Sequence, residues 1–116
     1  MESELAISRL AALAHPTRLD LFRRLVRQGP AGEPAGAIAA ALGVPGPTLS
    51  FHLAALARAG LVAARRKGRS VHYAADYHAI EALVGYLTEN CCAETGCCPP
   101  ATAPIPARGE KTRSSS

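Results

Sequence analysis

Tryptophan is absent from the chain, aromatic residues make up 4% of its 116 residues, and cysteine is missing from the first ninety positions. Large aromatic side chains normally dominate the energetics of a core, and this chain has few of them to draw on. No apolar run approaches the roughly 18 residues a membrane-spanning helix requires. The acidic start Met1-Glu2-Ser3-Glu4 lacks the apolar run of a secretory leader. A cytosolic chain is therefore expected, in which thiols stay reduced and clustered cysteines more often bind metals than form disulfides. Acidic residues are the scarcer charge, 9 against 13 lysines and arginines, giving net +4 and a pI near 9.2. That balance suits a polyanionic partner without requiring one. No acid–base pair and no nucleophile–base arrangement is visible, so an enzyme is not expected.

What is present is alanine-weighted hydrophobicity, 48% of the chain, which favours small, closely packed helices. The length allows one domain and a tail. About ninety residues bury only a thin core, so a core shared with a second copy would add stability.

Residues 2–13 set Leu5, Leu10 and Leu13 among alanines, a short amphipathic helix. A second helix is predicted from His15-Pro16, because proline suits the first helical position, where no backbone N–H is needed. Leu19, Phe22, Leu25 and Val26 form its apolar stripe, Arg23, Arg24 and Arg27 face outward, and Gly29-Pro30 ends it. After the loop Ala31-Gly32-Glu33-Pro34, a short alanine-rich helix runs from Pro34 through Leu42 and stops at Gly43. The next helix starts near Pro47 and closes at Ala59-Gly60, with Leu42, Val44, Leu49, Leu53 and Leu56 on the buried side.

The hydrophobic period then changes. Residues 61–66 and 70–74 read as two strands around Lys67-Gly68-Arg69, a β-hairpin. Asp76 is a plausible N-cap for a last helix carrying Ile80, Leu83, Val84 and Leu87 to about Glu89. Residues 99–116, rich in proline and ending in serines, are expected to be disordered. No internal repeat is evident.

A short helix, a glycine-containing turn and a second amphipathic helix make a helix-turn-helix. A basic hairpin directly after it makes the winged form. The fold class expected is therefore mainly α with a β-hairpin wing. In such a unit the second helix enters the major groove. Its exposed residues are expected to be Thr48, Ser50 and His52, with Arg58 near its end. Arg65, Arg66, Lys67 and Arg69 put four positive charges into five residues at the hairpin tip, a density that attracts phosphate.

Leu13-Ala14-His15-Pro16-Thr17-Arg18-Leu19, Ser50-Phe51-His52-Leu53-Ala54-Ala55-Leu56 and Ala59-Gly60-Leu61-Val62 resemble the ArsR/SmtB repressors. Arg65-Arg66-Lys67-Gly68-Arg69 followed by Tyr73 continues the likeness, which covers residues 3 to about 89. The resemblance implies a homodimer joined through its first and last helices. It also implies repression by occupancy of a pseudo-palindromic DNA operator, relieved when an inducer binds.

The chain's four cysteines, Cys91, Cys92, Cys97 and Cys98, fall in one nine-residue window. Thiolates select soft, thiophilic ions. Some arsenic-responsive members of the family hold the inducer on the helix preceding the reading helix, but residues 35–42 contain no cysteine. A subgroup with a cysteine pair after the last helix and another a few residues on is the closer likeness. Trivalent arsenic takes three sulfurs in a pyramid, and antimony(III) should behave similarly. Cys91 and Cys92 are then the firmer ligands, completed by Cys98 or Cys97, with Cys98 favoured because the longer loop closes more easily. Gly96 lets the backbone turn the second pair back on the first.

Zinc or cadmium would use four sulfurs tetrahedrally, and zinc ligand pairs seldom sit side by side. A redox switch and a thiol-based metalloid carrier are further alternatives. Asp76-Tyr77-His78 matches half of a zinc site known in the family, yet an N-cap Asp76 beside an exposed His78 is the more ordinary reading. The expected organisation is a DNA-binding and dimerisation domain over 1–89, an inducer-binding segment over 90–98 and a tail over 99–116. The expected function is an arsenite- or antimonite-responsive repressor that needs no cofactor to bind DNA.

Overall fold

Proline and local caps set where the helices begin. The computed structural model describes residues 1–92; Cys97, Cys98 and the 99–116 tail lie outside the described residues. Helix α1 spans Ser3–Leu13 and α2 spans Pro16–Gln28. His15 caps α2 by accepting the Thr17 N–H on Nδ1 at 3.2 Å, and Pro16 opens the first turn. A two-residue strand β1, Glu33–Pro34, leads directly into α3, Ala35–Leu42, which ends at Gly43 in the left-handed region (φ 69°). Helix α4 spans Gly46–Arg58. Strands β2, Val62–Lys67, and β3, Ser70–Ala75, form the hairpin, and α5 covers Tyr77–Leu87. Asp76 caps α5, its carboxylate accepting the Ala79 N–H at 3.1 Å.

The sheet has the order β1-β3-β2 and is antiparallel throughout, so the hairpin gains a third strand from the segment expected to be a loop. Two observations explain the addition. Arg24 reaches from α2 to Glu33 with two parallel bonds, Nε to Oε1 at 2.8 Å and Nη2 to Oε2 at 2.6 Å. This paired geometry is the strong form of the interaction, and it holds the Arg24 pKa above its already high ordinary value. Arg24 is thus committed to the sheet and does not face outward as its position on the helix suggested. Gly32 then packs against β3: a Cβ there would lie 2.8 Å from the Tyr73 carbonyl oxygen, and its φ is +78°.

The core is mostly aliphatic. Leu21, Leu25, Ile38, Leu49, Leu56 and Leu61 are fully buried, with Phe22, Leu53 and Val62 beside them. Leu42 and Val44 pack against it half-buried. Leu19 and Val26, expected on the buried stripe of α2, are exposed instead. Residues 21, 22 and 25 already fill the narrow face that α2 turns inward.

Helices α1 and α5 lie against each other but leave Leu5, Ile7, Leu10, Val84 and Leu87 exposed, Ile7 at 62% and Leu87 at 57%. Arg9 fixes α1 in place. Its Nε donates to the Ala59 carbonyl at the end of α4 (2.9 Å), and its Nη1 donates to the Ala79 carbonyl in α5 (3.4 Å). No single helix among the described residues is long and apolar enough to cross a membrane.

The Gly32 packing yields a direct test. Gly32→Ala must strain a positive φ and push β1 from β3, so a loss of about 1–3 kcal/mol in unfolding free energy is expected. Urea denaturation measures it; an unchanged midpoint would show that β1 can move aside freely.

Candidate nucleic-acid interface and thiol pair

Helix α4 is preceded by the turn Gly43-Val44-Pro45, and the chain axis changes direction by 110° between α3 and α4. That is the crossing expected of a helix-turn-helix. Positions 49, 52, 53 and 56 follow the helical repeat and turn inward. Thr48, Ser50, Phe51, Ala54 and Arg58 remain exposed on the outer side.

This periodicity corrects one sequence expectation. His52, placed among the exposed reading residues, is only 6% exposed. It shares the face of Leu49, Leu53 and Leu56, and spacing alone identifies it as inward. Its Nδ1 accepts from Arg18 Nε at 3.1 Å, which puts the proton of the neutral ring on Nε2. The His15 ring lies 4.7 Å away, centroid to centroid. Burial, then the fields of His15 and Arg18, push the His52 pKa below the ordinary histidine value of 6.5. His52 is therefore a neutral strut between the start of α2 and the middle of α4.

Between Ser50 and His52 stands a residue with no polar group to mark it for DNA. Phe51 is 60% exposed, with the Arg18 guanidinium 5.5 Å above its ring centroid and the His52 ring edge-on at 5.5 Å. The signal that could have found it is again the repeat, which puts 51 on the outer stripe with 47, 54 and 58.

In the wing, Arg65 pairs with His72, Arg66 with Val71 and Lys67 with Ser70, and Gly68 makes the turn at φ 62°. Arg65, Arg66, Lys67 and Arg69 are all exposed. With Arg58 at the end of α4, they can meet a polyanion with a convex, cationic rim. Asp76 is engaged as a helix cap and His78 is exposed. Among the described residues no group of three or more His, Cys, Asp or Glu side chains has the geometry to hold a metal ion.

After α5 the chain turns tightly. The Cys91 N–H bonds to the Thr88 carbonyl at 3.0 Å, and Asn90 and Cys92 both adopt φ 59°. Left-handed backbone is uncommon for cysteine. Here it brings Cys92 Sγ to 3.8 Å from Cys91 Sγ. Two sulfurs bound to one ion through ~2.3 Å bonds at a tetrahedral angle stand about 3.8 Å apart. The two sulfurs are thus close enough for one thiophilic ion to bridge, a tetrahedral ion at this spacing and a pyramidal one, whose angles are narrower, after drawing them slightly together.

Comparison with known proteins supplies the family. A helix-turn-helix domain model matches residues 13–65. An ArsR-like transcriptional regulator from Rhodococcus sp. RHA1 is 30% identical with a TM-score of 0.68, covering 78% of this chain and 82% of that one. The chain belongs to the ArsR family of transcriptional regulators. A homodimeric winged helix-turn-helix DNA-binding domain from Mycobacterium bovis, a possible ArsR-family regulator, is 32% identical (TM-score 0.61; 76% and 82% covered). A possible transcriptional regulator for arsenical resistance is 30% identical (TM-score 0.61; 69% and 80% covered). Comparison with curated proteins returns no match. ArsR-family chains are DNA-binding regulators and not enzymes, so the helix-turn-helix and wing described above belong to a DNA-binding protein.

The buried histidine makes stability depend on pH in a defined direction. A histidine whose pKa is lowered by folding binds fewer protons folded than unfolded, so stability is full above the ordinary value of 6.5 and falls as pH drops below it. Urea midpoints of the native chain and of His52→Gln, measured from pH 8 to pH 5, should diverge in slope below about 6.5, the native chain losing more. Parallel slopes would place the acid sensitivity elsewhere.

Proposed function

We propose that this ArsR-family regulator is a homodimeric repressor released from its operator by trivalent arsenic or antimony held on its C-terminal cysteines. The observation that carries the reading is the Cys91–Cys92 sulfur pair, 3.8 Å apart, at the foot of α5. Soft thiolates select thiophilic ions. The absence of cysteine from Ala35–Leu42 leaves the C-terminal cluster as the thiol site of the chain. The similarity to a regulator described for arsenical resistance supports the same class of inducer. One of Cys97 and Cys98 supplies the third sulfur, Cys98 by preference.

Consecutive Cα atoms are about 3.8 Å apart across a trans peptide, short of the ~4.4 Å minimum usual for a disulfide. This disfavours a redox switch built on Cys91–Cys92. Zinc or cadmium would draw in a fourth sulfur, and the sulfur count separates these ions from arsenic.

The exposed apolar faces of α1 and α5 support a two-fold dimer, in which Leu5, Ile7, Leu10, Val84 and Leu87 meet their counterparts. The similar homodimeric domain from Mycobacterium bovis supports it further. In that dimer the two α4 helices enter successive major grooves, with Thr48 and Ser50 toward base edges. Arg65, Arg66, Lys67 and Arg69 lie along the flanking phosphates. Inducer binding tightens the turn at Thr88–Cys92 and shifts α5 at the seam. Arg9, bonded to both Ala79 and Ala59, carries that shift to the end of α4.

Electrophoretic shift with a selected operator duplex tests both halves of the proposal. Cys92→Ser should bind the duplex normally and no longer let go with arsenite; retained release removes Cys92 from the site. X-ray absorption on the native chain should count three sulfurs per arsenic. Arg69→Ala should weaken binding to all sequences and lower the slope of log K against log salt by about one. An unchanged slope would mean that the wing tip does not touch phosphate.

A further inference from the structure

We propose that Phe51 reads the 5-methyl group of a thymine in the major groove, with Arg18 and His52 holding its ring in position. The inference rests on α4 being the reading helix and adds a specificity determinant to it. The chain has two phenylalanines, and they have opposite fates: Phe22 is in the core, while Phe51 stands out from the middle of α4. A single exposed apolar side chain is ordinarily unremarkable. This one is held in place. The Arg18 guanidinium lies over its ring at 5.5 Å, and Arg18 is itself fixed by its 3.1 Å bond to buried His52, whose ring meets Phe51 edge-on. The phenyl is therefore oriented before any partner arrives.

Its surroundings identify the partner. Outward on α4 around it stand Thr48, Ser50, Ala54 and Arg58, small or hydrogen-bonding side chains, and the adjoining wing carries Arg65, Arg66, Lys67 and Arg69. A cationic rim around one phenyl on a helix that enters a groove suits duplex DNA. A phenyl cannot satisfy the donors and acceptors that guanine, cytosine and adenine present in the major groove, and burying those groups unpaired is costly. Thymine alone offers a methyl group there. Phe51 thus favours thymine by covering its methyl, a gain that no other base offers against the polar groups it buries.

The test uses a duplex selected from a random library by the native chain. Each thymine is replaced in turn by deoxyuridine, which removes only the methyl, and affinities are read by fluorescence anisotropy at fixed salt. At one thymine of each half-site the replacement should weaken the native chain about fourfold, the expected effect of one methyl group. Phe51→Ala should bind the parent duplex more weakly and be indifferent at that position. Tolerance of deoxyuridine everywhere overturns the proposal, as does equal sensitivity in Phe51→Ala, which would leave the ring only a support for Arg18. The scan on the native chain stands whether or not the variant folds. Failure to select any duplex would instead remove the reading role of α4, and the proposal with it.

Discussion

Six aliphatic side chains, Leu21, Leu25, Ile38, Leu49, Leu56 and Leu61, are the constraint on which the rest of this structure depends. They come from α2, α3, α4 and the approach to β2, and they lock the 110° turn between α3 and α4. Burying each contributes roughly 1.5–3 kcal/mol, with no tryptophan to supplement them. Such a core has little to spare. It fixes the angle at which α4 is presented, and it leaves the apolar faces of α1 and α5 uncovered within one chain. A protein this small thus presents α4 at a set angle and leaves an apolar surface open, and both follow from the same shortage of core volume.

Two arginines extend the reach of that core. Arg18 links the start of α2 to His52 in α4, and Arg9 links α1 to the carbonyl at the end of α4 and to the first turn of α5. The positive guanidinium of Arg9 at the C-terminal end of α4 is also the favourable sense of the helix dipole. Through Arg9 the turn that carries Cys91 and Cys92 lies one helix away from the reading helix. In the proposed repressor this gives a small rearrangement at the foot of α5 a route toward α4, since packed cores shift between discrete arrangements more readily than they deform.

Much of this was legible in the sequence. Pro16, Gly29, Gly43 and Asp76 marked helix ends where the backbone placed them, and the change from helical to alternating periodicity located the hairpin to within a residue. What escaped depended on contacts between distant residues. Glu33 and Pro34 carry no strand signal of their own; β1 exists because Arg24, nine positions earlier, holds Glu33 against the sheet. The inward turn of His52 was within reach of the helical repeat, but a polar residue next to Ser50 invited an outward reading. The exposure of Phe51 could likewise be read from the helical repeat, but the Arg18 guanidinium over its ring could not, because Arg18 comes from another helix. The thiol pair was evident from adjacency, whereas the left-handed Cys92 that closes the sulfurs to 3.8 Å was not.

The central claim is that occupancy of the thiol pair and occupancy of DNA oppose each other, and coupling between two sites must act equally in both directions. Calorimetric titration of arsenite into the native chain, alone and saturated with its operator duplex, measures that coupling at the thiols themselves. An affinity weakened about five- to 150-fold by DNA is expected. Equal affinities with and without operator would contradict it.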